Sequence, residues 1–153
     1  MEETTPSHSH LTVRDLMTED PIVVDPEVPL SRVMGLMQEA QIRHVPVIDE
    51  QGIVGLVSDR DLAFIHSLPG VFDKVEAGDV ERALSAPVAV VMKSRFLVER
   101  DVEMVRGETS LKDAVDIFVA TGVGALPVIG DDEEILGVLS AIDVLRWAAD
   151  EVL

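Results

Sequence analysis

The sequence predicts a mixed α/β (α+β) fold: two pseudo-symmetric β-α-β-β-α repeats packed through their sheets, each with an additional N-terminal helical turn. Three observations carry this prediction. The chain matches itself at a fixed spacing. Its apolar residues alternate between a helical period and short β-branched runs. The available interior is aliphatic, since 47% of the 153 residues are apolar and only 3% aromatic, a composition suited to helices packed on sheets.

Residues 1–10, MEETTPSHSH, read as a disordered polar tail, in which solvation of His8 and His10 is the simpler alternative to metal contact. Residues 11–67 form the first repeat, 68–87 a helical insertion and 88–153 the second repeat. At an offset of 81, Val24, Glu27, Leu30, Pro46, Val47 and Ile48 fall on identical residues at 105, 108, 111, 127, 128 and 129. One extra residue in the acidic turn DDEE then shifts the offset to 82, which aligns Ile53, Gly55, Ser58 and Asp61 with Ile135, Gly137, Ser140 and Asp143. A looser match of VRDLMT (13–18) to VAVVMK (88–93) extends the repeat upstream.

Each repeat opens with a short apolar strand, PIVV in one and VEMV in the other. A helix follows, with apolar residues at 30, 33, 34 and 37 and at 111, 114, 115 and 118, the spacing of one buried face. Pro29 suits a first helical position, and Thr109 suits an N-cap. Two β-branched runs separated by turn residues predict a hairpin, VPVID with IVGLVS, then LPVIG with ILGVLS. A last helix opens at Ser58 or Ser140. Pro69-Gly70 and Gly78-Asp79 break the insertion, and VERALS gives it a helical turn or two before Pro87. Neither half buries its sheet face alone, so the two are expected to pack about a pseudo-two-fold axis.

The net charge is -17, from 12 basic and 29 acidic residues spread over both halves. No basic region exists for nucleic acid or anionic lipid, and few aromatics are present for base stacking. A phosphate ligand would need local donors or a metal counter-ion. The chain has no cysteine, consistent with a cytoplasmic setting, no apolar run of membrane-spanning length and no secretory pattern at its start. HExxH, GxSxG, Walker-loop and Cys–His patterns are absent. Without an activated nucleophile, no catalytic residue is assigned and the protein is expected not to be an enzyme.

The pair GLVSDRDL (55–62) and GVLSAIDV (137–144) is the chemical signal. Ser-x-x-Asp at a helix start is a capping box, in which the hydroxyl and the carboxylate satisfy two backbone N–H groups. The same helix start offers partial positive charge to phosphate, and a short carboxylate there can accept both ribose hydroxyls. Both roles stay open, and one residue can serve both.

RHVPVID with GLVSDRDL, repeated as GALPVIG with GVLSAIDV, resembles the CBS domain, named after cystathionine β-synthase. The resemblance covers residues 11–153 apart from the central insertion, and it implies a tandem pair, or Bateman module. Such modules commonly bind AMP, ADP or ATP, sometimes S-adenosylmethionine or NAD, and commonly form disc-shaped homodimers. The resemblance also implies crosswise clefts. One would use Ser140 and Asp143 with Ile22, Val23, Arg43, His44, Val45 and Pro46. The other would use Ser58, Arg60 and Asp61 with Met104, Val105, Gly124, Ala125, Leu126 and Pro127. Arg43 and His44 are candidate phosphate donors in the first cleft. Arg60 is one in the second, joined by Arg106 and by Lys93, Arg95 and Arg100 nearby. Arg43 and Arg60 could equally neutralise an acidic surface, and His44 could be an ordinary half-buried histidine. Trp147 reads as packing or a dimer contact, and the methionines as core filling.

The expected function is an energy sensor that transmits nucleotide occupancy, optionally with magnesium, to a regulated protein in trans. A dimerisation module with inactive clefts is the alternative. No resident metal is expected.

Overall fold

The computed structural model describes His8 and residues 10–62, 84–89 and 103–153. Along the chain these form α1 (Val13–Leu16), β1 (Thr18–Glu19), α2 (Leu30–Ala40), β2 (His44–Asp49), β3 (Gly52–Ser58), β4 (Val105–Arg106), α3 (Leu111–Thr121), β5 (Ala125–Ile129), β6 (Ile135–Ser140) and α4 (Ala141–Glu151). The mixed α/β architecture is the one the repeat predicts. The insertion up to residue 83, most of VAVVMK and the stretch beyond Leu62 that was expected to continue the first repeat's last helix lie outside the described residues, as do Lys93, Arg95 and Arg100.

The chain divides into two compact units, one comprising residues up to Pro21 with Glu103–Leu153, the other Ile22–Val102. The leading segments have therefore changed places. Residues 11–14 join the second repeat: Val13 N–H donates to Thr109 C=O at 2.8 Å, Arg14 N–H to Gly107 C=O at 2.9 Å, and Leu111 N–H to Leu11 C=O at 2.9 Å. Residues 86–89 join the first repeat: Leu30 N–H donates to Ala86 C=O at 2.9 Å and Val88 N–H to Val28 C=O at 2.8 Å. The bridges Thr12–Ser110 and Pro29–Pro87 mark the same event in the two units. Val13 and Val88 are both wholly buried, so each leader fixes itself by one aliphatic side chain as well as by backbone bonds.

In the first unit the sheet order is β1-β6-β5-β4, with β4 parallel to β5 and the other pairs antiparallel. In the second, β2 and β3 pair antiparallel, and Val24 adds one parallel bridge to Val47. A bulge falls between Val47 and Ile48, and another between Val128 and Ile129, the same place in both hairpins. All five β5 residues are buried. A strand covered on both faces reads as a continuous apolar run rather than an alternation.

The two cores use equivalent positions. Val24, Leu30, Val33, Val45, Val47 and Val57 fill one, and Val105, Leu111, Ala114, Leu126, Val128 and Leu139 the other. Met37 is buried with the first set and Met34 packs against it, whereas Phe118 and Val115 flank the second. The predicted helical stripes thus face inward as expected.

Several local expectations are corrected. Among the described residues PIVV contributes only the Val24 bridge, and VEMV yields a strand only at Val105–Arg106. Proline explains the shortness. Val24 N–H donates to Pro46 C=O and Val24 C=O accepts from Ile48 N–H, so the next rung toward Ile22 would need an N–H that Pro46 lacks. Pro127 stands at the matching place in the second repeat, ahead of the β4 pairing. Pro29 occupies the N-cap with extended backbone rather than the first helical position. The cap of α3 is Ser110, whose hydroxyl accepts from Asp113 N–H at 3.0 Å. Thr109 instead closes the preceding turn, its hydroxyl accepting from Arg106 N–H at 3.0 Å.

Candidate functional site

The chemistry-bearing residues lie at one corner of each unit, where a hairpin strand runs into a helix. Ser58 stands opposite His44 in the β2–β3 ladder, and Ser140 opposite Ala125 in β5–β6. Beyond each ladder a carbonyl closes the turn: Arg43 C=O accepts from Asp59 N–H at 2.9 Å, and Gly124 C=O from Ala141 N–H at 3.0 Å. The register of the hairpin therefore positions the helix start.

Both capping boxes form. Ser58 N–H donates to Asp61 Oδ2 at 2.9 Å, while Asp61 N–H donates to Ser58 Oγ at 3.1 Å. Ser140 N–H donates to Asp143 Oδ2 at 3.0 Å, and Asp143 N–H to Ser140 Oγ at 3.0 Å. All four residues are half-buried. The first four N–H groups of a helix start without intrahelical partners, and here the protein itself satisfies three. Only the N–H of Arg60 and that of Ile142, each one residue before the Asp, remain without a partner among the described residues. One amide is a narrower seat for phosphate than an uncapped helix end would offer. Oδ2 of each aspartate serves the cap, and Oδ1 of Asp143 has no partner among the described residues.

The motif is less selective than its two copies suggest. Thr12 N–H donates to Asp15 Oδ2 at 2.8 Å at the start of α1, and Ser110 caps α3 over Asp113. Ser/Thr-x-x-Asp thus recurs at four described helix starts, a signal present in the sequence itself. The strand-to-helix corner, with its carbonyl closure, distinguishes the pairs at 58 and 140 from the other two.

The remaining assigned residues divide by exposure. Val45, Pro46, Leu126 and Pro127 are fully buried, and Val105 and Ala125 nearly so. Their side chains belong to the cores, which leaves only backbone groups for a ligand. Ile22, Val23 and Met104 are 37%, 43% and 39% exposed, unusual for large apolar groups and a direct consequence of the interrupted parallel ladders. Met104 is accordingly not core filling. His44 is half-buried and engaged, while Arg43, Arg60 and Gly124 are exposed.

Arg106 is withdrawn from the candidate phosphate donors. Its Nη1 donates to Gly130 C=O at 3.1 Å and lies 3.6 Å from Asp131, which ties it to the β5–β6 turn. Trp147 packs on the second core and meets His8 edge-on, ring centroids 5.0 Å apart, so that part of the tail is seated on α4. Among the described residues no His, Cys, Asp and Glu cluster could hold a metal ion, and no helix is long and apolar enough to cross a membrane.

The family described as the CBS domain matches residues 13–67 and 93–150. The chain is 30% identical over 156 aligned residues to the chloroplastic CBS domain-containing protein CBSX1 of Arabidopsis thaliana, covering 90% of this chain and 64% of that protein. It is 28% identical over 137 residues to protein MJ1225 of Methanocaldococcus jannaschii, covering 90% of this chain and 47% of that one. The crystal structure of MJ1225 superposes with a TM-score of 0.74 at 26% identity, over 91% of this chain and 48% of that chain. The crystal structure of Arabidopsis CBSX2 in complex with AMP superposes with a TM-score of 0.67 at 26% identity, over 92% and 97%. This chain spans about two fifths to two thirds of the length of the curated relatives it matches.

Proposed function

The chain belongs to the CBS-domain family as a tandem pair, and we propose that it is a non-catalytic regulatory module binding an adenine nucleotide, AMP, ADP or ATP. The observation that supports this most is the doubled corner: a half-buried carboxylate preceded by an N–H with no partner among the described residues, at the same place in both repeats. AMP in the CBSX2 structure supports the choice of an adenine nucleotide. The two residue sets inferred above are the proposed contacts. Asp61 and Asp143 accept the ribose hydroxyls, Ile22, Val23 and Met104 cover the base, and backbone groups near His44 and Ala125 read its edge. Magnesium accompanies the longer phosphate tails.

Occupancy would alter the conformation that a regulated protein reads, through different ligand affinities for two arrangements. A homodimer in a cytoplasmic setting completes the proposal. No residue of α4 is buried, and Leu145, at 62% exposure on that helix, would be covered by a second copy. Leu145→Glu is then expected to shift the protein from dimer to monomer in light scattering.

A ligand screen tests the reading. AMP, ADP, ATP, S-adenosylmethionine and NADH are each added during thermal unfolding. A binder at a hundredfold excess over its Kd stabilises by about 2.7 kcal/mol. The alternative scaffold reading draws on the completeness of both capping boxes without a ligand; it predicts no shift with any compound at millimolar concentration.

A further inference from the structure

Helices α2, α3 and α4 have equal length but are held by their units to different degrees. Buried Leu30, Val33 and Met37 root α2, and buried Leu111 and Ala114 root α3. No residue of α4 is buried. Val144 and Trp147 pack on the second core while only partly covered, and Ile142 and Leu145 are exposed. The segment ahead of α1 supplies a second hold. His8 is half-buried, and its ring stands edge-on to Trp147 at 88°, centroids 5.0 Å apart. Its C=O accepts from Leu11 N–H at 3.1 Å. Leu11 packs on the second core and gives its own C=O to Leu111 N–H, Val13 is wholly buried, and α1 touches α4. His8 therefore reaches α4 from a stretch already fixed to the start of α3.

We propose that His8 and residues 10–13 form a clasp that holds α4 on its unit, with the His8–Trp147 ring pair as its latch, so that α4 opens locally when the latch is lost. An edge-to-face ring pair is favoured beyond the area it covers. A helix that buries no residue has little else to resist a local opening, which needs far less free energy than unfolding of the whole unit. Losing the latch leaves the fold intact and changes how often α4 lifts. Helix geometry makes that opening consequential. Trp147 follows Asp143 by four residues and Val144 by three, so the three share one face of α4 and the latch sits about one turn from the Ser140–Asp143 cap. Ile142 and Leu145 point away from that face, outside the clasp. The clasp is a regulatory device in the fold, tying the segment ahead of α1 to the helix that opens at Ser140, and it operates whether or not a nucleotide binds.

Amide hydrogen exchange on the full chain tests this, with acrylamide quenching of Trp147 as a second readout. Trp147 is the sole tryptophan in a chain without tyrosine, so its emission reports on the latch alone. The variants are His8→Ala, His8→Phe, which keeps a ring, and, as a control on exposed α2, Arg32→Gln. His8→Ala is expected to speed exchange across residues 145–151 about two- to tenfold and to make Trp147 more accessible to acrylamide. Exchange in α2 and α3 stays within about twofold of wild type. His8→Phe restores both readouts toward wild type, and Arg32→Gln alters neither. Unchanged exchange in α4 with His8→Ala would overturn the proposal. So would an equal rise across α2, α3 and α4, which marks general destabilisation, or a His8→Phe protein indistinguishable from His8→Ala.

Discussion

The two repeats share their interiors and part company at their ends. Six core positions carry aliphatic residues in both, and bulges and capping boxes coincide. Yet α2 starts at Pro29 without a side-chain cap and ends on Gln41 at φ 54°, whereas α3 starts on the Ser110 hydroxyl and ends on Gly122 at φ 73°. One hairpin turns through Glu50-Gln51, and the other needs Gly130–Glu134 with Arg106 bound to it. Arg43 and Arg60 stand at one corner, where the other has Gly124 and Ile142. Close packing tolerates little change in volume, so the duplicated interior stays matched. Caps, turns and corner side chains face solvent, where substitution is inexpensive and ligand preference can diverge.

Core truncation should give the largest effect and the first way to break the equivalence. Leu126→Ala should cost about 2–5 kcal/mol and Val45→Ala, its smaller counterpart, about 1.5–3 kcal/mol, read from chemical denaturation. Hydrogen exchange then tests the traded leaders. Val13→Ala should lower protection across residues 105–151, and Val88→Ala across residues 24–57. Loss confined to each leader's own sequence repeat would break the account of the exchange.

Capping comes next. Ser110→Ala and Ser140→Ala should each cost about 0.5–2 kcal/mol. The left-handed helix ends allow a reciprocal swap that sharpens the comparison. Gln41→Gly should stabilise by about 0.5 kcal/mol and Gly122→Gln destabilise by about 1 kcal/mol, checked by shifts in the denaturation midpoint. Smallest is the exposed Lys112–Asp116 pair on α3, 2.8 Å apart, which has no counterpart on α2. The hydrogen bond and charge of Asp116 raise the Lys112 pKa above its usual value. The slight stability this adds is present below the ordinary lysine pKa and lost as pH rises through the raised one. An NMR titration should see the Lys112 pKa fall in Asp116→Asn.

Where pattern reaches into packing, the sequence was legible. The stripes at 30, 33, 37 and at 111, 114 face inward, the hairpins form at VPVID and LPVIG, and Ser58 and Ser140 start helices, because periodicity records burial directly. Boundaries were less legible. Thr109 and Ser110 both suit an N-cap, and only the turn bond from Arg106 N–H to Thr109 decides between them. Pro46 and Pro127 already foretold the short parallel ladders, since a missing N–H is visible in the sequence, but which rung it interrupts depends on register. The exchanged leaders leave almost no periodic trace, as each contributes a single buried valine. At the corners the residue types were readable. Which amides the protein itself satisfies, and that Arg106 is bound to a turn, follow only from three-dimensional partners.

The central claim is that Asp61 and Asp143 hold nucleoside as well as cap helices. Calorimetry with AMP on wild type, Asp61→Ala and Asp143→Ala, with circular dichroism to verify folding, tests it most directly. The account predicts saturable binding to wild type, with each substitution abolishing binding at its own corner at a stability cost of about 0.5–2 kcal/mol. AMP binding that is identical in all three folded proteins, or absent from wild type at millimolar concentration, would contradict it.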